Sequence, residues 1–90
     1  MEFEWDPRKA RTNQTKHRVT FQEASTIFGD PLAIMFDDPD HSGNESRYIT
    51  FGLSLYKRLL VVSHTARAGR TRIISARLME GKERGIYEEG

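Results

Sequence analysis

The chain predicts an α+β domain, with helices on one face of a mostly antiparallel sheet. Three observations predict it. Short runs of alternating apolar and polar residues fill the second half, separated by tight turns. A capped amphipathic helix stands before them. The stretch from Ser46 to Met79, most of it on the predicted strands, holds seven Arg or Lys and no acid. Ninety residues make one domain spanning 1–90 with a thin core. An apolar content of 37%, with five Phe, three Tyr and one Trp, is enough for a folded chain.

The predicted order is β-α-α-β-β-β-β-α. Glu2-Phe3-Glu4-Trp5 alternates and reads as a short strand that Asp6-Pro7 ends. Asp6 caps a helix from Pro7 to Lys16 with proline as its first residue. The only apolar residue of that helix is Ala10, whose face continues through Asn13 and His17. So little apolar surface predicts a helix held by hydrogen bonds, or by contacts with Trp5 and Val19. Thr20-Phe-Gln-Glu23 is a capping box, with the Glu23 carboxylate expected to reach back to the cap. Phe21, Ala24, Ile27 and Phe28 form one stripe of the second helix, which Gly29-Asp30-Pro31 stops.

Leu32 to Phe36 reads as a strand, and Asp37 to Asn44 as a loop dense in turn formers. Arg47 to Ser54 alternates, with Ile49, Phe51 and Leu53 on one face. Tyr56-Lys57 turns the chain into the strand Arg58–Thr65, and Ala68-Gly69 into the strand Arg70–Ala76. Met79 to Glu89 reads as a last helix, with Glu80 and Arg84 paired one turn apart and Gly81 and Gly85 weakening it.

The absence of Cys excludes a disulfide framework and thiol chemistry, and fits a reducing cytoplasm. No apolar run reaches the length of a membrane span, and the early acids of MEFEWDPRKA do not form a signal peptide. Charge is segregated along the chain: −4 over 1–45, +7 over 46–79 and −2 over 80–90. Arginines rooted on strands suit a phosphate or a polyanion.

Several blocks together carry a resemblance: FEWDPRKA at 3–10, KHRVTFQEA at 16–24, FGDPL at 28–32, DDPDH at 37–41, ESRYITFG at 45–52, RLLVVSHTAR at 58–67 and RIISAR at 72–77. In order and spacing they resemble the BrnT family, the toxin half of a bacterial type II toxin–antitoxin pair, over nearly the whole chain. The resemblance implies a RelE-like fold and a ribonuclease that halts translation by acting on RNA, mRNA on or off the ribosome. It also implies a BrnA-like antitoxin, expected to cover the basic sheet in a toxin–antitoxin hetero-oligomer, with operator DNA reached only through that antitoxin. The chain departs from the family in three places. Arg18 and Lys57 stand where Gly is usual, and Leu78-Met79-Glu80 replaces a Lys, a small residue and a hydroxyl cap.

A ribonuclease using no metal or other cofactor needs a base for the 2′-hydroxyl, cations for the phosphorane charge and an acid for the departing 5′-oxygen. His64 is the only His on a predicted strand and suits either proton role. Its alignment with Leu60 and Val62 equally fits a core-facing imidazole. Arg67, Arg72 and Arg77, at or near strand ends, are the candidate phosphate ligands, although strand parity sets Arg72 and Arg77 on opposite faces. Glu45 is a second proton-transfer candidate, or the partner of Arg47 in a surface ion pair. Arg47, Lys57, Arg58, Arg70, Lys16 and Tyr87 are candidate RNA contacts. Lys16 and His17 also suit a helix C-terminus, and Tyr87 suits an apolar anchor. Asp37, Asp38, Asp40 and His41 lack the alternating spacing of a calcium loop and read as turn caps or partners of sheet arginines. The rival to a catalyst is a basic module that holds RNA or an acidic protein without cutting.

Overall fold

The computed structural model describes residues 1–41, 43 and 45–90, with the side chain of His41 outside the described set. The element order is the expected one: β1 (Phe3–Glu4), α1 (Pro7–His17), α2 (Phe21–Ser25), β2 (Ile34–Asp37), β3 (Arg47–Leu53), β4 (Leu59–Arg67), β5 (Arg70–Leu78) and α3 (Gly81–Glu89). The five strands form one sheet in the order β1-β5-β4-β3-β2. All neighbours are antiparallel except β1, which runs parallel to β5 through Phe3–Thr71 and Glu4–Arg72.

Two cores form, one on each face. Val19, Phe21, Ala24 and Ile27 from the α1–α2 region bury against Leu60, Val62, Ile73 and Ala76. On the other face Met79 and Tyr87 pack with Phe51, Val61, Ile49 and Leu59. The helices therefore divide, with α1 and α2 on the first face and α3 across one end of the second. Among the described residues no helix is long and apolar enough to cross a membrane.

Polar groups hold α1, as its composition demands. Arg8 N donates to Asp6 Oδ1 at 2.8 Å to cap the start. Asn13 is buried, and its Nδ2 donates to Val19 O and Ala76 O, both at 2.9 Å, while its Oδ1 accepts from Ala76 N at 3.0 Å. The carboxamide thus bonds to β5 as another strand would. Arg18 ends the helix in the left-handed region at φ 58°.

The second helix is shorter than its stripe suggests, and Thr26–Gly29 continues it as a 3₁₀ turn. Ser25 Oγ donates to Gln22 O and Thr26 Oγ1 to Glu23 O, both at 2.7 Å, drawing carbonyls away from the α ladder. The capping box is half realised. Glu23 N donates to Thr20 Oγ1 at 3.0 Å. The carboxylate does not return to the cap: it accepts from Ser54 Oγ at 2.8 Å and pairs with the Arg58 guanidinium.

Gly52 lets the 3₁₀ turn approach β3, since a Cβ there would lie 2.8 Å from Ile27 Cβ. Lys57 adopts φ 65° in the β3–β4 turn, and Ala68 and Gly69 adopt φ 52° and 77° in the β4–β5 hairpin. Arg18 and Lys57, the two positions set against Gly by the resemblance, are both left-handed. A β-bulge interrupts β5 opposite His64. His64 pairs with Ile73 and Ser63 with Ser75, leaving Ile74 as an extra residue.

Candidate functional site

The bulge overturns the parity expectation for the arginines. Arg72 pairs with Thr65 and Arg77 with Val61. Thr65 and Val61 lie four residues apart on β4 and so share a face. Arg72 and Arg77 therefore share the face that carries Val61 and Phe51. Across β3, Arg47 is the partner of Thr65. A row Glu4–Arg72–Thr65–Arg47 thus crosses four strands at one end of the sheet. Arg67 follows Thr65 by two residues on the same face, opposite Arg70.

Every arginine with a described contact on this face meets a carboxylate. Arg67 Nε and Nη2 donate to Glu45 Oε2 and Oε1 at 2.9 and 3.0 Å, a fork-to-fork pair. Those bonds, strengthened by the charge of Arg67, hold the Glu45 carboxyl below its usual range. Arg72 Nη1 donates to Glu4 Oε2 at 2.8 Å. Arg70 lies 3.9 Å from both Glu2 and Glu4. Farther along the face, Arg77 forks onto Glu83 at 2.8 and 2.7 Å, while Glu80 N donates to the same carboxylate at 2.8 Å to cap α3. Glu80 is the N-cap, and it forms a capping box with Glu83.

The remaining predicted residues lie elsewhere. His64 is buried on the α1–α2 face, against the edge of Phe28 and stacked with Tyr48. Its Nε2 hydrogen-bonds Thr50 Oγ1 at 2.7 Å, and burial pushes its pKa down to about 4. An imidazole held neutral beneath the sheet is not placed to move protons among the arginines on its other side. The core-facing alternative describes it.

Arg58 is committed to Glu23, which is only 3% exposed, and its Nη2 also donates to Arg18 O at 3.0 Å. The guanidinium holds that carboxyl below its ordinary range. Lys57 sits in the β3–β4 turn at the far end of the sheet. Lys16 lies on α1 beside Arg8, Lys9 and His17 in a shallow groove against Ile74. The Tyr87 hydroxyl donates to Asp30 Oδ2 at 2.7 Å and its pKa is pushed up to about 12 by that bond. It is the anchor of α3.

In the acidic loop, Asp38 N donates to Arg47 O at 2.8 Å, and Pro39–His41 makes a 3₁₀ turn. Among the described residues no three His, Asp or Glu side chains converge as metal ligands would. Two residues of the row, Glu4 and Thr65, escape sequence reasoning. The signal for Glu4 lies in the alternation Glu2-Phe3-Glu4-Trp5, which sets both carboxylates on one face. Nothing in the sequence marks Thr65.

Strand-borne arginines paired with exposed carboxylates are groups that can take a phosphate in bidentate contacts. Residues 5–83 match the family described as the ribonuclease toxin BrnT of a type II toxin–antitoxin system. The chain belongs to the BrnT family. Membership makes it a ribonuclease toxin and implies an antitoxin partner and an RNA substrate. No curated protein matches the chain. Among solved structures, the Brucella abortus ribonuclease toxin BrnT is similar, with a TM-score of 0.68 and 20% identity over 89% of this chain and 97% of that one. At that identity the likeness speaks for the BrnT fold, which the five-stranded sheet and three helices here share.

Proposed function

We propose that this chain is an RNA endonuclease that cuts without a metal, with Arg67, Arg72 and Arg47 holding the scissile phosphate and Glu45 accepting the proton of the 2′-hydroxyl. The row of Arg72, Thr65 and Arg47 beside the Arg67–Glu45 pair carries this reading. Exposure decides which arginines are available. Arg67 and Glu45 are 48% and 42% exposed, and solvent screens a pair so exposed, leaving it weak enough for a phosphate to displace. Arg58 faces a buried carboxylate, and breaking such a pair costs about 3–5 kcal/mol, so it stays structural.

The chemistry assigned to this face is mainly charge stabilisation. As the 2′-oxygen attacks, the phosphorane gains negative charge, which the guanidiniums offset once they have turned from their carboxylates onto the phosphate. The bond to the 5′-oxygen then breaks, leaving a 2′,3′-cyclic phosphate, and that oxygen takes a proton from water. Arg67 holds the Glu45 carboxyl below its usual range, so it is ionised at neutral pH, and its basicity rises once Arg67 turns from it to the phosphate. Glu4 and Glu45 are each held by a guanidinium rather than facing one another, which favours arginine over metal as the electrophile. Arg77, forked onto Glu83 beside α3, belongs to the same face and extends the track along the RNA backbone. Family membership supports the rest of the reading. Cleavage of mRNA halts translation in the cytoplasm, and a BrnA-like antitoxin neutralises the toxin and joins it in repressing their operon.

The test is expression with and without Arg72→Ala, Arg67→Ala and Glu45→Gln, following growth and intact RNA. Cleavage by the purified protein is then measured in excess EDTA. Each substitution should slow cleavage about 100-fold or more, and EDTA should leave it unchanged. His64→Gln, once shown to be folded, should still cut. RNA that is bound but never cut would instead return the non-catalytic module.

A further inference from the structure

The face that carries the arginines also carries a hydroxyl that bonds nothing among the described residues. Thr65 is 4% exposed, and its Oγ1 is shielded and has no hydrogen-bond partner among the described residues. Buried polar atoms almost always have one, because leaving water without a replacement bond is unfavourable. A position that needed only shape and strand propensity would be served by Val, which has the same outline and no such atom. The orphaned oxygen therefore calls for a ligand.

Its surroundings say which kind. Thr65 stands on the central strand of the row, with Arg72 beside it on β5 and Arg47 on β3. Adjacent strands lie about 4.8 Å apart, so the two arginines are rooted roughly 10 Å apart with the hydroxyl midway between them. A tetrahedral anion above that midpoint meets a guanidinium on each side and an O–H donor below. Arg72 now rests on Glu4, both partly exposed at 29% and 25%, and can turn from that carboxylate to another oxyanion. No hydrophobic or cationic ligand fits those donors.

We propose that Thr65 Oγ1 donates a hydrogen bond to a non-bridging oxygen of an RNA phosphate held between Arg47 and Arg72, which leaves Glu4 as the phosphate arrives. This deepens the ribonuclease reading and rests on it for the identity of the anion. Thr65 is then a substrate-binding residue whose hydroxyl is idle until RNA is present.

Stability and binding must move differently if this holds. Thr65→Val and Thr65→Ser are compared with wild type in thermal unfolding, in binding of a 2′-O-methyl RNA oligonucleotide that cannot be cut, and in cleavage of the same sequence as ribose RNA. Thr65→Val should unfold at the wild-type temperature or above it while binding about tenfold more weakly and cutting more slowly. Thr65→Ser should keep most of the binding. A valine variant that binds like wild type overturns the proposal. So does one that is destabilised, since the hydroxyl would then have a partner in the free protein. If wild type binds the oligonucleotide without cutting the ribose form, the ribonuclease reading fails while the tenfold loss still decides the Thr65 contact. If wild type does not bind at all, both fail.

Discussion

Buried in a helix whose only apolar side chain is Ala10, Asn13 satisfies three backbone groups at once: the carbonyls of Val19 and Ala76 and the amide of Ala76. Removing the carboxamide strands all three where water cannot easily replace it, at about 1–3 kcal/mol for each group left unbonded. Asn13→Ala should therefore cost about 3 kcal/mol or more, read as a lower denaturant midpoint at unchanged slope, whereas Gln14→Ala on the exposed side should cost little. His64 makes a second residue-scale prediction, with its sign fixed by burial. In the folded chain its pKa is pushed down to about 4, while in the unfolded chain it takes a proton near 6.5. Between those values the unfolded state binds more protons, so stability is fully present above pH 6.5 and falls as the pH drops towards 4. The loss approaches roughly 3 kcal/mol at the acid end. The carboxyls of Glu23 and Glu83, held low by Arg58 and Arg77, begin to contribute only below their ordinary range near 4.5. Denaturant midpoints between pH 7 and 4.5 should thus fall steeply for wild type and more gently for His64→Gln. Equal slopes would remove His64 as the cause.

Within the elements, legibility followed periodicity and failed where periodicity breaks. The meander of β3, β4 and β5 was readable because Ile49, Phe51 and Leu53, then Leu60, Val62 and His64, alternate without interruption. That same alternation placed His64 in the core, and the chemical appeal of an imidazole among arginines pointed the other way. The bulge at Ile74 left no comparable mark, since Ile73-Ile74 is only two apolar residues in a β-rich run. Counting by twos therefore separated Arg72 from Arg77, which the extra residue brings to one face. The partners of the arginines were also hidden, because Glu4 and Arg72 stand sixty-eight positions apart. The turns were more transparent. Arg18 and Lys57 hold left-handed backbone, where a Cβ is disfavoured by about 1 kcal/mol or more. Arg18→Gly relieves that strain and keeps the Arg18 carbonyl that accepts from Arg58. After the greater freedom of Gly in the unfolded chain is set against it, the net gain should be about 0.5 kcal/mol, a rise in Tm of a few degrees. A fall in Tm would mean that the Arg18 side chain itself stabilises the turn.

Across the whole molecule, folding undoes the charge separation visible along the chain. The +7 middle and its acidic flanks meet as pairs: Glu2 before β1, Glu4 in β1, Glu45 before β3 and Glu83 from α3 each reach an arginine of β4 or β5, and Glu23 from α2 reaches Arg58 just before β4. A basic sheet thereby becomes a nearly neutral one, whose cations are released only to an anion that competes better than a carboxylate. In the proposed reading this makes the flanking acids part of how RNA is bound. Glu4 has two possible effects on Arg72, and they differ in sign. If it chiefly occupies the guanidinium, Glu4→Gln should strengthen binding of uncleavable RNA about fivefold, equivalent to about 1 kcal/mol for one exposed charge pair. If it chiefly holds Arg72 in position, the same substitution should weaken binding. The partial exposure of both groups favours the first outcome. Salt separates that gain from a change in shape. With contacts from Arg47, Arg67, Arg70, Arg72 and Arg77, log affinity for single-stranded RNA should fall against log salt with a slope of about −3.5. Glu4→Gln should keep that slope, because the same five cations reach phosphate, while shifting the whole line towards tighter binding. A flatter line would mean that Arg72 no longer reaches the RNA and that Glu4 had been holding it there.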